Sequence, residues 1–228
     1  METQLLDGSL NPVNVVRVVK HNHKFYKSHP GYFKPEGLLV FCGEQGSGKT
    51  LSAVQYVKKL CEEYPDAILC TNVHINGLPA ETEVVEYDGL DCLKNLENGY
   101  FGVIYLIDEI HLEFNSLESK NIDIEVMIEV SQQRKQRKHI IGTSQVYGRL
   151  AKPFREQIRN VVLCSNFCKV LQINTLIDGS KSTEKDGKLI TDTVKRFYWF
   201  HRPELYDSYD TYAKMRRYKK EWQGRRIV

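Results

Sequence analysis

A glycine-rich loop at residues 43–50 constrains the fold of this chain more than any other feature of its sequence. The run Gly37–Cys42 before the loop is continuously apolar, which predicts a strand buried on both faces. Residues 51–64 after the loop carry apolar side chains at helical spacing. The loop matches the pattern G-x-x-x-x-G-K-[ST] in full, with Gly43, Glu44, Gln45, Gly46, Ser47, Gly48, Lys49 and Thr50. Because this pattern stands directly between a strand and a helix, it predicts a phosphate-binding loop.

The residue types of the loop fit a nucleoside triphosphate and its metal ion. Glycines let successive backbone N–H groups point inward at phosphate oxygens, and the N-terminus of the following helix adds partial positive charge. Lys49 is expected to reach the β- and γ-phosphates, and the Thr50 hydroxyl is expected to be a ligand of Mg²⁺. The sequence therefore predicts ATP and Mg²⁺ as cofactors.

Two carboxylates follow a second apolar run. Residues 103–107 read Val-Ile-Tyr-Leu-Ile, and Asp108 and Glu109 come next. On a sheet that carries a phosphate-binding loop, Asp108 would lie at the strand end beside Mg²⁺, and Glu109 would polarise the attacking water as a general base. The pair favours hydrolysis over phosphoryl transfer to an acceptor. Two surface acids that merely follow a strand are the alternative.

A third apolar strand is predicted at residues 140–144, and it ends in polar side chains. In a sheet that places this strand near the loop and the two carboxylates, its tip would contact the γ-phosphate or its water. Gln145 or Ser144 is therefore a candidate sensor of the nucleotide. Ordinary turn or capping chemistry by Ser and Gln is the alternative.

Four cations stand within five residues at positions 134–138, at the end of a helical pattern that spans residues 122–138. Three interpretations remain open: a solvated helix end favoured by the helix dipole, a DNA-facing patch, or an arginine finger that completes the site of a neighbouring subunit. Arg134 is the finger candidate, with Arg137 as a rival in the same cluster. Arg155 and Arg159, four residues apart on an expected helix, are further rivals.

Strand and helix patterns alternate along most of the chain. Further strands are predicted at residues 67–73, 160–163 and 169–173, a short helix at 90–96, and a polar hairpin tip at 179–187. This alternation predicts an α/β fold, a mostly parallel sheet with helices on both faces, plus a β-hairpin and a basic C-terminal segment. The predicted domains are an N-terminal extension at 1–36 with a β-like run of valines at 15–19, the main domain at 37–200, and a tail at 201–228.

Composition narrows the function classes. The chain has 228 residues and a formal net charge of only +3, so no global basic field indicates a nucleic-acid partner. Its six cysteines show no pairing rhythm, and no apolar leader precedes them, which favours a cytoplasmic location. The longest uncharged apolar run is far shorter than the roughly 20 residues that a transmembrane helix needs, so no membrane span is expected.

Positive charge is concentrated at the end of the chain. From residue 201 onward there are eight Lys or Arg against four Asp or Glu. Arg216, Arg217, Lys219 and Lys220 are interleaved with aromatic residues and are the candidate DNA contacts. A solvated helix that docks on the domain or on a portal protein is the alternative.

The phosphate-binding loop, the Asp-Glu strand, the Ser-Gln-x-Arg helix and the Thr-Ser-Gln strand tip together resemble the P-loop ATPases of the FtsK–HerA superfamily. Zonula-occludens-toxin-like ATPases and phage DNA-packaging ATPases are the branches that residues 36–175 resemble most. In this resemblance Lys49, Thr50, Asp108 and Glu109 match the catalytic positions. Arg134 falls near the finger and Gln145 near the polar sensor.

The resemblance implies a homo-oligomeric ring that hydrolyses ATP to translocate double-stranded DNA, most specifically a viral genome-packaging ATPase. A portal or procapsid component would then be its partner, in the cytoplasm of the host. Two alternatives stay open. One is a zonula-occludens-toxin-like assembly or export ATPase that reaches the membrane through a partner, and the other is a nucleotide-binding regulator without motor activity.

Overall fold

The computed structural model describes residues 12–116, 124–179, 183–185, 188–190 and 193–209 of the chain. The chain divides into two compact units, Met1–Tyr32 and Phe33–Val228. In the first unit, residues Pro12–Ser28 form helix α1. Every strand among the described residues belongs to the second unit.

The second unit is built on one eight-stranded sheet. Its strand order is β10-β7-β6-β1-β5-β4-β2-β3, and a separate two-stranded sheet consists of β8 and β9. The strands are β1 Gly37–Cys42, β2 Ile68–Thr71, β3 Val84–Glu86, β4 Val103–Ile107, β5 Lys138–Ser144, β6 Ile158–Phe167, β7 Leu171–Asp178, β8 Thr183–Lys185, β9 Lys188–Ile190 and β10 Thr193–Phe200. The helices are α2 Lys49–Glu63, α3 Asp91–Asn95, α4 Ile124–Gln132, α5 Lys152–Arg155 and α6 Pro203–Tyr206.

Most of the sheet is parallel. From β3 to β6 every neighbouring pair runs in the same direction, whereas β7 is antiparallel to both β6 and β10. The carboxyl ends of β1, β4, β5 and β6 therefore share one edge of the sheet with the end of β10. The predicted α/β fold with a mostly parallel sheet is confirmed.

Helices cover both faces of the sheet, which explains the continuous apolar runs. All five residues of β4 are buried, and so are five of the six residues of β1. One face packs against α2 in a core that includes Leu39, Phe41, Val54, Val57, Ile104 and Leu106. The other face packs against α4 and α5 in a core that includes Val40, Ile107, Val126, Val130, Ile140 and Phe154. A strand that is buried on both faces cannot alternate polar and apolar residues.

The valine run near the N-terminus was wrongly expected to be β-like. Residues Pro12–Ser28 form an α-helix, and none of them is buried. Pro12 is the first residue of this helix, a position where its fixed φ angle and missing N–H are tolerated. A helix pairs its backbone groups internally, which a single strand cannot do, and this requirement outweighs the β propensity of the valines.

Two further expectations about the secondary structure are corrected. The helical pattern of residues 122–138 extends as a described helix only from Ile124 to Gln132, and Lys138 already begins β5. Arg155 and Arg159 do not share a helix: Arg155 ends α5, whereas Arg159 belongs to strand β6. The Gly179–Gly187 hairpin tip lies partly outside the described residues, and its described part contributes β8.

The chain continues into the core beyond the predicted domain boundary at residue 200. Leu205 and Tyr209 are buried against α2 in the same cluster as Val54 and Val57. Ser208 and Asn76 are joined by a backbone hydrogen bond of 2.7 Å. No helix within the described residues is long and apolar enough to cross a bilayer.

Candidate nucleotide site

The phosphate-binding loop lies between the carboxyl end of β1 and the start of α2. Gly46 and Gly48 adopt left-handed φ angles of 81° and 84°, which a residue with a Cβ rarely adopts. A Cβ on Gly43 would collide with the Ser47 side chain, so the loop closes tightly on itself. The hydroxyl oxygen of Ser47 is buried and has no hydrogen-bond partner among the described residues. Glu44 and Gln45 are exposed at the apex of the loop.

The two predicted Mg²⁺ ligands lie side by side. The Thr50 Oγ1 atom donates a hydrogen bond of 2.9 Å to Asp108 Oδ1. Two ligands of Mg²⁺ at its usual bond length of 2.0–2.1 Å in neighbouring octahedral positions are separated by about 2.9 Å. The observed oxygen spacing therefore fits the magnesium ion that the loop implies.

Asp108 is held in place from both sides. Thr143, at the carboxyl end of β5, donates a hydrogen bond of 2.6 Å from its hydroxyl to Asp108 Oδ1. The Asn72 side chain pairs with the Asp108 backbone in both directions, at 2.8 Å from the Asp108 N–H and at 3.1 Å to its carbonyl. These contacts fix the strand end that carries the carboxylate.

Glu109 occupies a strained and strongly oriented position. Its φ angle is 54°, and its N–H donates to Thr143 Oγ1 at 2.9 Å. One carboxylate oxygen lies 3.8 Å from Lys49 Nζ, and the other lies 3.2 Å from His111 Nδ1. A non-glycine residue in the left-handed region costs about 1–3 kcal/mol, and such strain persists where surrounding contacts determine it. The side chain is therefore held between Lys49 and His111.

His111 is a neighbour of Glu109 that the sequence analysis did not identify. Burial lowers the pKa of His111, against the opposing effect of the Glu109 carboxylate. His111 Nδ1 lies 3.2 Å from Glu109 Oε2 and 3.4 Å from the Ser144 hydroxyl oxygen. His111 is close to Glu109 because the chain makes a short turn at Ile110–Leu112 after β4. A histidine two residues after Glu109 was a feature of the sequence from which this contact could have been predicted.

The structure separates the two candidate sensors. Gln145 Nε2 lies 3.5 Å from Glu109 Oε1. Ser144 is fully buried, and its hydroxyl donates to the Val146 carbonyl at 3.0 Å. Gln145 therefore contacts Glu109 directly, whereas Ser144 bonds to the adjacent turn and reaches the site only through His111, whose Nδ1 atom lies 3.4 Å from the Ser144 hydroxyl oxygen.

The candidate arginine fingers lie elsewhere. Arg134 Nε contacts Glu36 Oε2 at 2.8 Å, and Arg159 Nη1 lies 3.8 Å from the other oxygen of Glu36. Glu36 directly precedes β1, and Arg134 and Arg159 stand near the starts of β5 and β6. All three therefore lie at the amino edge of the sheet, about 20 Å from the loop given the length of β5. They cannot act on the nucleotide of their own subunit.

Two further cations of the cluster, Arg137 and Lys138, and the rival Arg155 make structural contacts. Arg137 Nη1 donates to the Gly99 carbonyl at 3.4 Å, and the Arg155 guanidinium lies 5.7 Å from the centre of the Tyr147 ring. Lys138 is buried and bonds to Glu129 at 3.2 Å. Glu36 and Glu129 compensate part of the positive charge of the cluster from other segments of the chain. Arg216, Arg217, Lys219 and Lys220 lie outside the described residues.

Two amides from the β6–β7 hairpin hold the phosphate-binding loop, and the sequence analysis did not identify them. Gln172 Nε2 donates to the Ser47 carbonyl at 3.0 Å, and Asn166 Nδ2 donates to the Gly46 carbonyl at 2.6 Å. Gln172 Oε1 in turn lies 3.0 Å from His201 Nε2, at the end of β10. Gln172 is fully buried against Gly48. The hairpin therefore fixes the Gly46 and Ser47 carbonyls, and with them the course of the loop backbone.

Replacing Gln172 with leucine should weaken ATP binding by roughly tenfold while changing the turnover number of the bound enzyme much less. Leucine has a similar volume but leaves the buried Ser47 carbonyl without its donor, a loss of about 1–3 kcal/mol that is partly relieved by relaxation of the loop. Titration with a fluorescent ATP analogue, alongside steady-state kinetics, measures both quantities. Gln157→Leu, at an exposed position, is the control. Equal affinities in both variants would show that the hairpin does not organise the loop.

Comparison with known proteins identifies the fold. No protein-family profile matches the sequence, and no curated protein matches it. Among solved structures, the N-terminal domain of zonular occludens toxin from Neisseria meningitidis matches 78% of this chain and 100% of its own, at 16% identity and a TM-score of 0.55. The resemblance stated from the sequence motifs is thus confirmed in the fold.

Two other matches have lower TM-scores. The genome packaging NTPase B204 from Sulfolobus turreted icosahedral virus 2, in complex with ATP-gammaS, covers 57% of this chain and 75% of its own at 16% identity and a TM-score of 0.46. The DNA-packaging ATPase B204 from Sulfolobus turreted icosahedral virus covers the same shares at 15% identity, also with a TM-score of 0.46. At these identities a likeness concerns the fold alone. This chain therefore has the P-loop NTPase fold that the zonular occludens toxin domain also has.

Proposed function

We propose that this protein is an ATPase. The observation that carries the proposal is the convergence of Lys49, Thr50, Asp108 and Glu109 at the mouth of one glycine-rich loop. The loop N–H groups and Lys49 would bind the phosphates, and Thr50 and Asp108 would hold Mg²⁺. When bound, Mg²⁺ neutralises phosphate charge and orients the γ-phosphate.

Glu109 is the proposed general base. Its carboxylate would accept a proton from the water that attacks the γ-phosphate, and Gln145 would orient that water with its amide. Lys49 and His111 flank the two carboxylate oxygens at 3.8 and 3.2 Å. His111 would hold the carboxylate in one orientation until ATP attracts Lys49 to its phosphates.

We further propose that the protein acts as a homo-oligomeric ring. The three residues Glu36, Arg134 and Arg159 lie at the amino edge of the sheet, opposite the nucleotide site. In a head-to-tail assembly, each interface joins two different faces of the subunit. Such an interface would bring the amino edge of one subunit to the nucleotide site of the next. Arg134 could then act in trans, as the sequence motifs suggest.

DNA translocation is the work that we propose for this ring. Double-stranded DNA is the first candidate substrate, in a viral packaging motor that meets a portal or procapsid component. The motif resemblance and the basic tail support this proposal. A zonula-occludens-toxin-like assembly or export ATPase is the second candidate, favoured by the fold match that covers the whole of that toxin domain. Hydrolysis that DNA does not change, by a protein that stays monomeric, would instead indicate a regulator.

Deleting residues 216–228 should lower the affinity for duplex DNA and flatten its dependence on salt. Each phosphate that the tail neutralises adds about 0.9 to the slope of log K against log salt. ATP hydrolysis without DNA should stay nearly unchanged, because the nucleotide site lies elsewhere. Duplex binding over a salt series, together with DNA-stimulated ATP hydrolysis, tests both statements. An unchanged slope would move the duplex contact to residues 134–138 or 179–187, and absence of any stimulation by DNA would overturn the proposed motor.

A further inference from the structure

Strand β10 combines aromatic and basic residues in an unusual way. Residues 195–202 read Lys-Arg-Phe-Tyr-Trp-Phe-His-Arg, with three cations, four large aromatic rings and no acid. The strand stands at one end of the eight-stranded sheet and pairs with β7. Core packing accounts for Trp199, and a hydrogen bond to Gln172 accounts for His201, but neither explains the exposed residues of the strand.

One side of β10 anchors the strand, and the other side is open. Trp199 is half-buried against the core that contains α2. Tyr198 and Phe200 point to the opposite side, where they are 60% and 69% exposed. The register places Phe200 beside Leu171, and Leu171 beside Phe167, which is 66% exposed. We call the surface formed by Phe167, Leu171, Arg196, Tyr198 and Phe200 the aromatic face.

The charge at the aromatic face is positive. Arg196 belongs to the same side of β10 as Tyr198 and Phe200 and is exposed. Exposed Lys169, at the β6–β7 turn, and exposed Arg202, just beyond β10, stand near one end of the face. The partner that fits this surface carries planar apolar groups together with negative charge.

We infer that the aromatic face binds single-stranded nucleic acid. Unpaired bases stack on aromatic side chains whatever their sequence, and nearby cations contact the phosphates. Tyr198 and Phe200 are two residues apart, about 6.8 Å along a strand, so each ring can contact a separate base. A duplex hides its base faces and could use only the cations. An apolar protein surface would gain nothing from Arg196, Lys169 and Arg202.

The aromatic face is connected to the nucleotide site. His201 follows Phe200 directly, and His201 Nε2 bonds to Gln172, which bonds to the Ser47 carbonyl in the phosphate-binding loop. A single-stranded nucleic acid bound beside Phe200 would therefore be connected to the loop through two hydrogen bonds. The inference deepens the proposed function, because it rests on DNA as the polymer moved and names the single strand as the form that the sheet contacts. It does not depend on hydrolysis.

Fluorescence anisotropy of the full chain without nucleotide tests the inference. The probes are labelled oligothymidine, a duplex of the same length, and oligouridine of the same length. The single strands should lose affinity when a ring of the aromatic face is removed, whereas the duplex, whose proposed contact is the tail at residues 216–228, should not. Tyr198→Ala and Phe200→Ala should each weaken single-strand binding by about 5- to 150-fold, the loss of one stacked base. Tyr198→Phe should keep most of the affinity, because it keeps the ring. Tyr100→Ala removes an exposed ring outside the aromatic face and is the control.

The salt dependence separates the two kinds of contact. Arg196→Gln should reduce the slope of log K against log salt by about 0.7, the value for one phosphate of a single strand. The alanine variants of the rings should lose affinity with an unchanged slope. Basal ATP hydrolysis, measured on the same samples, should be unaltered in all of them. A protein that binds single strands through these rings yet hydrolyses no ATP would refute the proposed ATPase and leave the inference standing.

Three results would overturn the inference. The first is a loss of duplex affinity in Tyr198→Ala and Phe200→Ala as large as their loss of single-strand affinity. The second is single-strand binding that the ring variants leave unchanged. Absence of single-strand binding by the wild-type chain would have the same consequence. The third is loss of self-association in Tyr198→Ala and Phe200→Ala without a change in strand binding, which would make the aromatic face a subunit interface.

Discussion

Replacing Glu109 with glutamine should slow ATP hydrolysis by about 10²- to 10⁴-fold and leave ATP binding intact. Removing a general base has an effect of this size, because the group acts mainly on the water in the transition state. Glutamine keeps the shape of the side chain and can still contact Gln145, but it cannot accept the proton. Phosphate release and equilibrium binding of a fluorescent ATP analogue measure the two properties separately.

Lys49→Ala is the matched comparison for Glu109→Gln. Lys49 is buried beside the loop and is expected to contact phosphate in the ground state, so its loss should abolish binding itself. The contrast between a variant that binds without turnover and one that does not bind separates the two roles. Turnover by Glu109→Gln near that of the wild type would refute its assignment as the base.

Removing Arg134 should reduce ATP hydrolysis by about 10³- to 10⁵-fold without abolishing ATP binding, if the side chain acts across a subunit interface. Because Arg134 lies at the amino edge, far from the loop of its own chain, mixtures of two inactive variants can test whether it acts across an interface. Combining Arg134→Ala with Glu109→Gln should restore part of the activity, because some interfaces then contain an intact base and an intact arginine. Lys135→Ala, at an exposed cation of the same cluster, is the control for lost positive charge.

The rival arginines must be tested as well, because one of them could act across the interface in place of Arg134. Arg159 shares Glu36 with Arg134 and could replace it, whereas Arg137 and Arg155 make contacts within their own subunit. Each should be tested in the same mixing assay. If no ratio of any arginine variant with Glu109→Gln restores hydrolysis, the ring with a trans-acting arginine is contradicted.

The parts of the site that were predictable from the sequence are those encoded by consecutive residues. The strand, glycine loop and helix from Gly37 to Glu63 form one continuous motif, and Asp108 and Glu109 directly follow a buried strand. Loop geometry needs glycines at fixed positions, and a strand buried on both faces needs an unbroken apolar run. Local chemistry therefore determines these elements almost alone.

The contacts that position the site depend on strand order, which the sequence does not display. Asn72 and Thr143 reach Asp108 because β2 and β5 flank β4, and Gln172 reaches the loop because the β6–β7 hairpin returns beside it. Each of these contacts comes from a single polar residue, and no motif around that residue indicates its role. The pairing of Arg134 with Glu36 was missed for the same reason, because these residues are nearly one hundred positions apart in the chain.

Phosphate release per subunit, measured with saturating ATP and Mg²⁺ over a wide range of protein concentrations, tests the proposal of an oligomeric ATPase most directly. If each active site is completed by a neighbouring subunit, the rate per subunit should rise steeply with concentration and then level off as rings form. Sedimentation at the same concentrations should show assembly over the same range. A rate per subunit that is constant at every concentration would contradict the ring, and no phosphate release at any concentration would contradict the ATPase itself.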